Sequence, residues 1–221
     1  MKKQRSYGMV GILFCILAIL MNVNIGKQVW AGLSCPEIKK VALTFDDGPH
    51  PIYTKQLLDG LKERGIKATF FVIGEQIEGN ETLLKRMVKE GHLIGNHTYH
   101  HVDLSKISEE EGFLEIKKTN QKIYDVTGQE TCLIRPPFGA WNKSFETHLQ
   151  MIPVMWDVDT LDWKVKDPSV ILERVLEGTQ ENGIILMHDY YETSVEAVWS
   201  IVEELSRRGY QFVTVDQIIM D

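Results

Sequence analysis

Two short stretches of this 221-residue chain hold side chains of the types that can bind divalent metals. His97 and His101 lie in NHTYHH (96–101), and Asp46 and Asp47 lie in FDDGP (45–49). In a helical turn, residues at i and i+4 share a face, so His97 and His101 could direct their rings at one point. Two histidines and one aspartate would be a sufficient ligand set for a catalytic zinc ion with an open position for water. Taken alone, the histidine pair also fits a solvated, histidine-rich loop.

Metal-assisted hydrolysis also needs a base, and the paired aspartates could divide these two tasks. Gly48 and Pro49 force a turn after an apolar run, and adjacent side chains at a strand end project in different directions. One carboxylate could bind the metal while its neighbour takes the proton of a water molecule. Taken alone, FDDGP also fits an ordinary turn or the cap of the next helix.

Three further residues could complete an acid–base site. His188 ends an apolar run in IILMHD (184–189), where it would be either a satisfied core residue or the acid that protonates a leaving group. Asp162 in DTLDW (159–163) could orient that imidazole and stabilise its charged form. Arg135 in RPPFG (135–139) could pair with a free aspartate.

Short apolar runs alternate with amphipathic stretches of helical length, and this alternation predicts the elements that must position these residues. The predicted strands are VALTF (41–45), ATFFVI (68–73), HLIG (92–95), CLIR (132–135), PVMWD (153–157), GIILM (183–187) and QFVTV (211–215). The predicted helices are 52–64, 81–90, 107–126, 143–150, 168–180 and 193–208. Runs that are apolar throughout favour parallel strands buried on both faces. We expect a single-domain α/β fold, a distorted seven-stranded parallel (β/α) barrel.

The polar residues follow the predicted strands, at the end where parallel barrels carry their active sites. Chance would place about half of them at the other end. The residues concerned are Asp46, Asp47, His97, Arg135, Asp159, Asp162 and His188. We therefore expect them to meet at one rim of the barrel.

The N-terminus differs from the rest of the chain. A basic head precedes the apolar run 8–21, and VWA (29–31) fits a signal-peptidase site, so residues 1–31 are predicted to be a signal peptide or an N-terminal membrane anchor. Membrane attachment would use residues 8–25. We expect a secreted or envelope-associated domain over residues 32–221, in which Cys35 and Cys132 could pair.

Charge excludes one class of partner. Residues 1–31 hold four basic residues and no acid, so their removal would change the net charge from −7 to −11. Nucleic-acid-binding proteins usually carry a basic surface, and we predict no nucleic-acid partner.

The order of these motifs resembles that of the polysaccharide deacetylase family, carbohydrate esterase family 4, which shares the nodulation-type chitooligosaccharide deacetylase homology domain. The motifs are TFDDGP (44–49), HTYHH (97–101), RPPFG (135–139), DTLDW (159–163) and LMH (186–188). The resemblance covers about residues 38–217 and implies that residues 32–221 form a deacetylase catalytic domain.

The resemblance implies a role for each motif residue. Asp46 would be the base and His188 the acid, with Arg135 tethering the base and Asp162 tuning the acid. Asp47, His97 and His101 would bind a divalent metal, Zn²⁺ first, with Co²⁺, Ni²⁺ or Mn²⁺ as alternatives. The substrate would be contacted by Pro137, Phe138, Trp163 and Leu186, with the Phe138 amide N–H stabilising the oxyanion.

The implied reaction is removal of N-acetyl groups from a glycan that contains N-acetylglucosamine, either peptidoglycan or a chitin-like oligomer, by a monomer. Three alternatives remain open: an O-deacetylase of acetylated xylan, a non-catalytic carbohydrate-binding barrel, and a metallophosphatase. Complete sets of metal ligands and acid–base residues argue against the second. The third would need more phosphate-binding cations than Arg135.

Overall fold

The computed structural model describes residues 38–220, and the side chains of all of these except 146–148. The strands are β1 (Lys39–Asp46), β2 (Thr69–Val72), β3 (Leu93–Asn96), β4 (Leu133–Ile134), β5 (Ile152–Pro153), β6 (Val158–Asp159), β7 (Gly183–His188) and β8 (Tyr210–Val213). The helices are α1 (Tyr53–Glu63), α2 (Glu81–Lys89), α3 (Glu109–Thr127), α4 (Ser144–Leu149), α5 (Asp162–Val165), α6 (Pro168–Gly178), α7 (Glu192–Arg207) and α8 (Asp216–Ile219). Two 3₁₀ turns span Gly74–Ile77 and Pro137–Gly139.

All strand pairs are parallel, and the eight-residue β1 lies at the centre of the sheet. The order is β5-β4-β3-β2-β1-β7-β6, and β8 pairs with the first half of β1. This arrangement confirms the predicted α/β fold with a curled, barrel-like parallel sheet. The six predicted helices are present to within two residues at each end, whereas the short helices α5 and α8 were not predicted.

Alternating side chains of β1 separate two apolar cores. Val41, Leu43 and Phe45 pack in the larger core, which includes side chains of the surrounding helices. Ala42 lies in a smaller core with residues from or just beyond other strands: Phe71, Leu133, Val154, Ile184 and Val215. Thr44 and Asp46 continue the Ala42 face of the strand towards its carboxyl end, and both are buried. Polar side chains therefore line the barrel interior above an apolar base.

The predicted strand 153–157 differs from the structure. It is replaced by β5 and β6, two residues each, and residues 154–157 between them have no strand partner. The backbone groups there bond to other partners: the carbonyls of Val154 and Met155 accept from the Arg135 side chain. The Asp157 amide donates to Ile184. The sheet is consequently open between β5 and β6.

Within residues 38–220, no helix is long and apolar enough to cross a bilayer. The predicted signal peptide or anchor at residues 1–31 lies outside the described residues, as does Cys35. Cys132 is exposed and has no disulfide partner among the described residues.

Gly95 in β3 offers a test of how tightly the barrel interior is packed beneath Arg135. A Cβ atom at Gly95 would lie 2.4 Å from Cδ1 of Phe71, and the Arg135 guanidinium lies 4.3 Å from the centroid of that ring. We expect Gly95→Ala to lower the free energy of unfolding by about 1–3 kcal/mol because the methyl group overpacks the interior. Urea unfolding would measure the change.

A double-mutant cycle provides the control for this effect. If the clash with Phe71 is the cause, Gly95→Ala should destabilise a Phe71→Leu background less than it destabilises the wild type. Additive effects of the two substitutions would contradict this explanation.

Candidate active site

The strand ends bring the predicted polar residues to one rim. Asp46 ends β1 directly beside His188, which ends the neighbouring strand β7, and the two residues are register partners. His97 follows β3 and Arg135 follows β4, while Asp162 begins α5 after β6. A cavity of about 480 Å³ opens at this rim. Its lining residues are Asp46, Asp47, His97, His101, Pro136, Phe138, Trp156, Asp159, Trp163, Leu186, His188 and Tyr191.

Asp47, His97 and His101 face one another in this cavity. Oδ1 of Asp47 lies 3.4 Å from Nε2 of His97 and 3.3 Å from Nε2 of His101. The same oxygen is buried and has no hydrogen-bond partner among the described residues. Buried carboxylate oxygens are normally paired, and one oxygen facing two imidazole nitrogens is a donor set suited to a divalent transition metal. The three residues therefore fit the predicted metal site.

Electrostatics keep Asp47 ionised at neutral pH. Burial alone would raise the pKa of its carboxyl group, but the neighbouring imidazoles of His97, His188 and His101 lower it below its ordinary value. Burial lowers the pKa of His101 because it disfavours the charged imidazolium. The neutral imidazole that a metal requires is therefore favoured.

The backbone of Arg135 orients the His97 ring. Nδ1 of His97 lies 2.6 Å from the Arg135 carbonyl oxygen, which can only accept a hydrogen bond. Nδ1 therefore carries the proton, and the lone pair of Nε2 faces Asp47. Ligand histidines in metal sites are commonly held by such a second hydrogen bond.

The prediction that His97 and His101 share a helical turn is wrong. Residues 97–101 form no helix, and Thr98 and His101 have positive φ angles of 62° and 54°. Glu115 on α3 holds this loop by accepting hydrogen bonds from the backbone amides of Tyr99 and His100. The two rings meet because the loop folds back, and the left-handed conformations place backbone strain at the site.

Asp46 and Arg135 form a buried pair across the barrel. The guanidinium donates from Nη1 to Oδ1 of Asp46 at 2.9 Å and to Oγ1 of Thr44 at 2.6 Å, and Arg135 is fully buried. Oδ2 of Asp46 lies 3.8 Å from Nε2 of His97. One oxygen of Asp46 is thus tethered, and the other faces His97 of the candidate metal site.

His188 is paired with Asp162. Nδ1 of His188 lies 2.7 Å from Oδ1 of Asp162, while Oδ2 accepts from the His188 amide and from Oγ of Ser194. Burial alone would lower the pKa of His188, but the hydrogen bond and charge of Asp162, with the charges of Asp46 and Asp47, raise it to about 9. His188 is therefore protonated at neutral pH, as a general acid must be.

Three of the four predicted substrate-contacting residues line the cavity. Phe138 is 69% exposed, has a φ of 60° and places its ring 4.9 Å from that of His101. Trp163 and Leu186 form other parts of the wall. Pro137 is buried instead, and its neighbour Pro136 lines the cavity.

Sequence reasoning missed four residues of the site. Trp156, Tyr191 and Pro136 line the cavity, and Ser194 contacts Asp162. Trp156 lay inside a segment predicted to be a strand, so no pattern distinguished it from a packing residue. Tyr191 follows His188 by three positions, and this proximity to the LMH motif was a usable signal.

The chain was compared with known proteins. It matches the polysaccharide deacetylase family over residues 34–154. The peptidoglycan-N-acetylglucosamine deacetylase PgdA of Listeria monocytogenes is 39% identical over 180 residues, which are 81% of this chain. The chain spans 39% of the length of PgdA.

Two solved structures share the fold. The peptidoglycan deacetylase PdaC from Bacillus subtilis superposes with a TM-score of 0.80 at 40% identity, covering 83% of this chain and 91% of that one. A carbohydrate esterase family 4 pseudoenzyme from Bacillus anthracis superposes with a TM-score of 0.77 at 31% identity, covering 83% and 66%. From the family match and the shared barrel, the chain belongs to the polysaccharide deacetylase family, carbohydrate esterase family 4.

Proposed function

We propose that this protein is a metal-dependent hydrolase that removes N-acetyl groups from a glycan containing N-acetylglucosamine, of the peptidoglycan or chitin type. The observation that carries the proposal is the unpaired, buried Oδ1 of Asp47 facing Nε2 of both His97 and His101. A tethered carboxylate, Asp46, and a charged imidazole, His188, border the same cavity.

Asp47, His97 and His101 would hold the divalent cation, which we propose to be Zn²⁺. When bound, such an ion supplies Lewis-acid chemistry, polarising the acetamide carbonyl and acidifying a water molecule. We do not include Asp46 among the metal ligands, because Arg135 already binds one of its carboxylate oxygens.

The residues of the chain would then move two protons. Asp46 takes one from the water that attacks the acetamide carbon, and the Phe138 N–H donates to the oxyanion of the tetrahedral intermediate. His188 gives its proton to the nitrogen as the carbon–nitrogen bond breaks. The products are acetate and a glycan with a free amine. Asp162 keeps His188 charged and Arg135 keeps Asp46 in place.

Two features support an amide rather than an ester as the substrate. An amine leaves a tetrahedral intermediate only after protonation, and His188 is a buried, charged acid at the rim. PgdA and PdaC are named as deacetylases of peptidoglycan. The family also includes a pseudoenzyme, so family membership alone does not carry activity, and the proposal depends on the complete set of groups in this chain.

The location follows from this substrate. We propose action outside the cytoplasmic membrane, in the cell envelope or secreted, with residues 8–25 serving for export or membrane attachment. We also propose that the catalytic domain works as a monomer, because both proton-transfer residues and all three metal-binding residues come from one chain.

Acetate release from N-acetylglucosamine oligomers tests the roles of the two aspartates. We expect Asp46→Asn to retain the metal and lose at least ~100-fold in rate, because the amide accepts from Arg135 but cannot take a proton. Asp47→Asn is the matched variant and should lose metal affinity as well as rate. Elemental analysis would record the bound metal. Undiminished acetate release from Asp46→Asn would rule Asp46 out as the base.

The nature of the substrate and the need for a metal can be tested in the same assay. Intact cell wall and chitin oligomers should release acetate and acetylated xylan should not, and a chelator should abolish release. Full activity of verifiably metal-free protein would exclude the proposed mechanism.

The rate should also depend on the charge of Asp162. Protonated His188 is the active form, so activity falls as the pH rises through its pKa of about 9. In Asp162→Asn the largest charge that raises this pKa is lost, and we expect the fall in kcat to begin at a lower pH. Bound cation would offset the contribution of Asp47 but not that of Asp162. A pH–rate profile would measure the shift.

Ser194→Ala is the control for this profile. It removes the hydrogen bond that the uncharged Ser194 hydroxyl donates to Asp162 and leaves the carboxylate charge in place. Its profile should stay close to that of the wild type. An unchanged profile in Asp162→Asn would show that His188 does not govern the alkaline limb.

A further inference from the structure

Four aromatic rings form a continuous row that begins at the cavity wall. We call Tyr191, Tyr190, His50 and Tyr53 the aromatic row. The ring centroids of Tyr191 and Tyr190 are 5.8 Å apart, those of Tyr190 and His50 are 4.9 Å apart, and those of His50 and Tyr53 are 4.6 Å apart. Tyr191 lines the cavity, and Tyr190 is 40% exposed. The row therefore extends the cavity wall onto the adjoining surface.

The row is rigid. The backbone amide of His50 donates to Oγ1 of Thr54, and that hydroxyl donates to the buried carboxyl group of Asp189. The His50 ring is fixed as well, because Nδ1 accepts from the amides of Ile52 and Tyr53 at the start of α1. A surface held in this way loses little conformational entropy when a ligand binds.

The row carries no carboxylate and no cationic side chain of its own. Because Nδ1 of His50 accepts two backbone hydrogen bonds, its imidazole is neutral. Nζ of Lys166 lies 5.2 Å from the Tyr191 ring centroid, at the cavity end of the row. Tyr190 is nearly perpendicular to both of its neighbours, at 74° to Tyr191 and 76° to His50, so the row offers the part-exposed Tyr190 ring rather than one continuous flat face. An aromatic ring with a hydroxyl at its edge suits a neutral ring that is apolar on its faces and polar at its rim. A hexopyranose has this character.

The position of the row matches the path of a polymer across the cavity. Phe138 follows β4 and is exposed next to His101, whereas Tyr190 and Tyr191 follow β7. Strands β3, β2 and β1 lie between β4 and β7 in the sheet, and Asp46 and the proposed metal-binding residues lie at or just beyond the ends of β1 and β3. A glycan whose acetamide enters the cavity would thus leave it past Phe138 on one side and past the aromatic row on the other.

We propose that the aromatic row is a subsite for the hexopyranose ring adjoining the residue that is deacetylated. This inference rests on the proposed function, because it takes the reacting group to lie beside Asp46 and His188. The subsite would favour oligomers over short substrates by adding contacts outside the cavity.

The test compares rates on N-acetylglucosamine oligomers of two lengths. Tyr190→Ala should lower kcat/KM for the tetramer about tenfold, mainly through KM, because loss of ring stacking removes about 1.4 kcal/mol. The disaccharide should lose less, because it can place its second ring on the Phe138 side. Tyr124→Ala is the matched control: Tyr124 is 47% exposed, lies on α3 and is outside the cavity lining. An equal loss for both lengths, or no loss, would overturn the subsite.

Two additions keep the test decisive. Tyr190→Phe keeps the aromatic ring and should retain affinity for the tetramer. Tyr190→Leu keeps a large apolar side chain without the ring and should lose that affinity. These two variants replace Tyr190→Ala if the alanine variant fails to fold. Calorimetric binding of the tetramer to Asp46→Asn, with and without Tyr190→Leu, needs no catalysis. Weaker binding in the double variant would support the subsite even if the wild type released no acetate. A lack of acetate release would contradict the proposed function but not the subsite. Equal binding would reject the subsite whatever the activity.

Discussion

A single buried guanidinium holds the site together. Arg135 donates to the carbonyls of Val154 and Met155, where strand pairing stops, and to Thr44 and Asp46 of β1 on the other side of the barrel. Its own carbonyl accepts from His97. Removing one partner from such a buried pair costs about 3–5 kcal/mol, because the other charge remains uncompensated. The barrel wall, the carboxylate proposed as the base and one histidine proposed to bind the metal thus depend on the same residue.

Two ion pairs give the Asp46 carboxylate and the His188 imidazole different electrostatic environments. Asp46 is held by a cation, and His188 is held by an anion whose oxygens also accept from Ser194 and from the amides of Trp163 and His188. Neighbouring titratable groups with opposite partners are the arrangement by which an enzyme keeps a base and an acid in one cavity at the same pH. The sheet register places the two groups side by side.

The sequence predicted the parts of this molecule that follow from strand order and missed those that depend on loop conformation. Apolar runs with polar residues at their ends were enough to place Asp46, His97, Arg135 and His188 on one rim. The loop 97–101 was not predictable from helical spacing, because Thr98 and His101 adopt left-handed conformations supported by Glu115 from a distant helix. The segment 153–157 resembled a strand because nothing local shows that Arg135 would bind its carbonyls. Trp156 and Tyr191 became recognisable only once the loops around the cavity were placed.

The opening between β5 and β6 has a consequence for how such barrels diversify. Residues 154–157 are joined to their surroundings by Arg135, Ile134 and Ile184 rather than by a strand ladder on either side. An insertion at Trp156, between the carbonyls that Arg135 binds and the amide of Asp157, would keep these hydrogen bonds and leave the registers of β1, β3 and β7 unchanged. Evolution can therefore reshape the mouth beside Trp156 for bulkier or more branched polymers without rebuilding the chemistry beneath it.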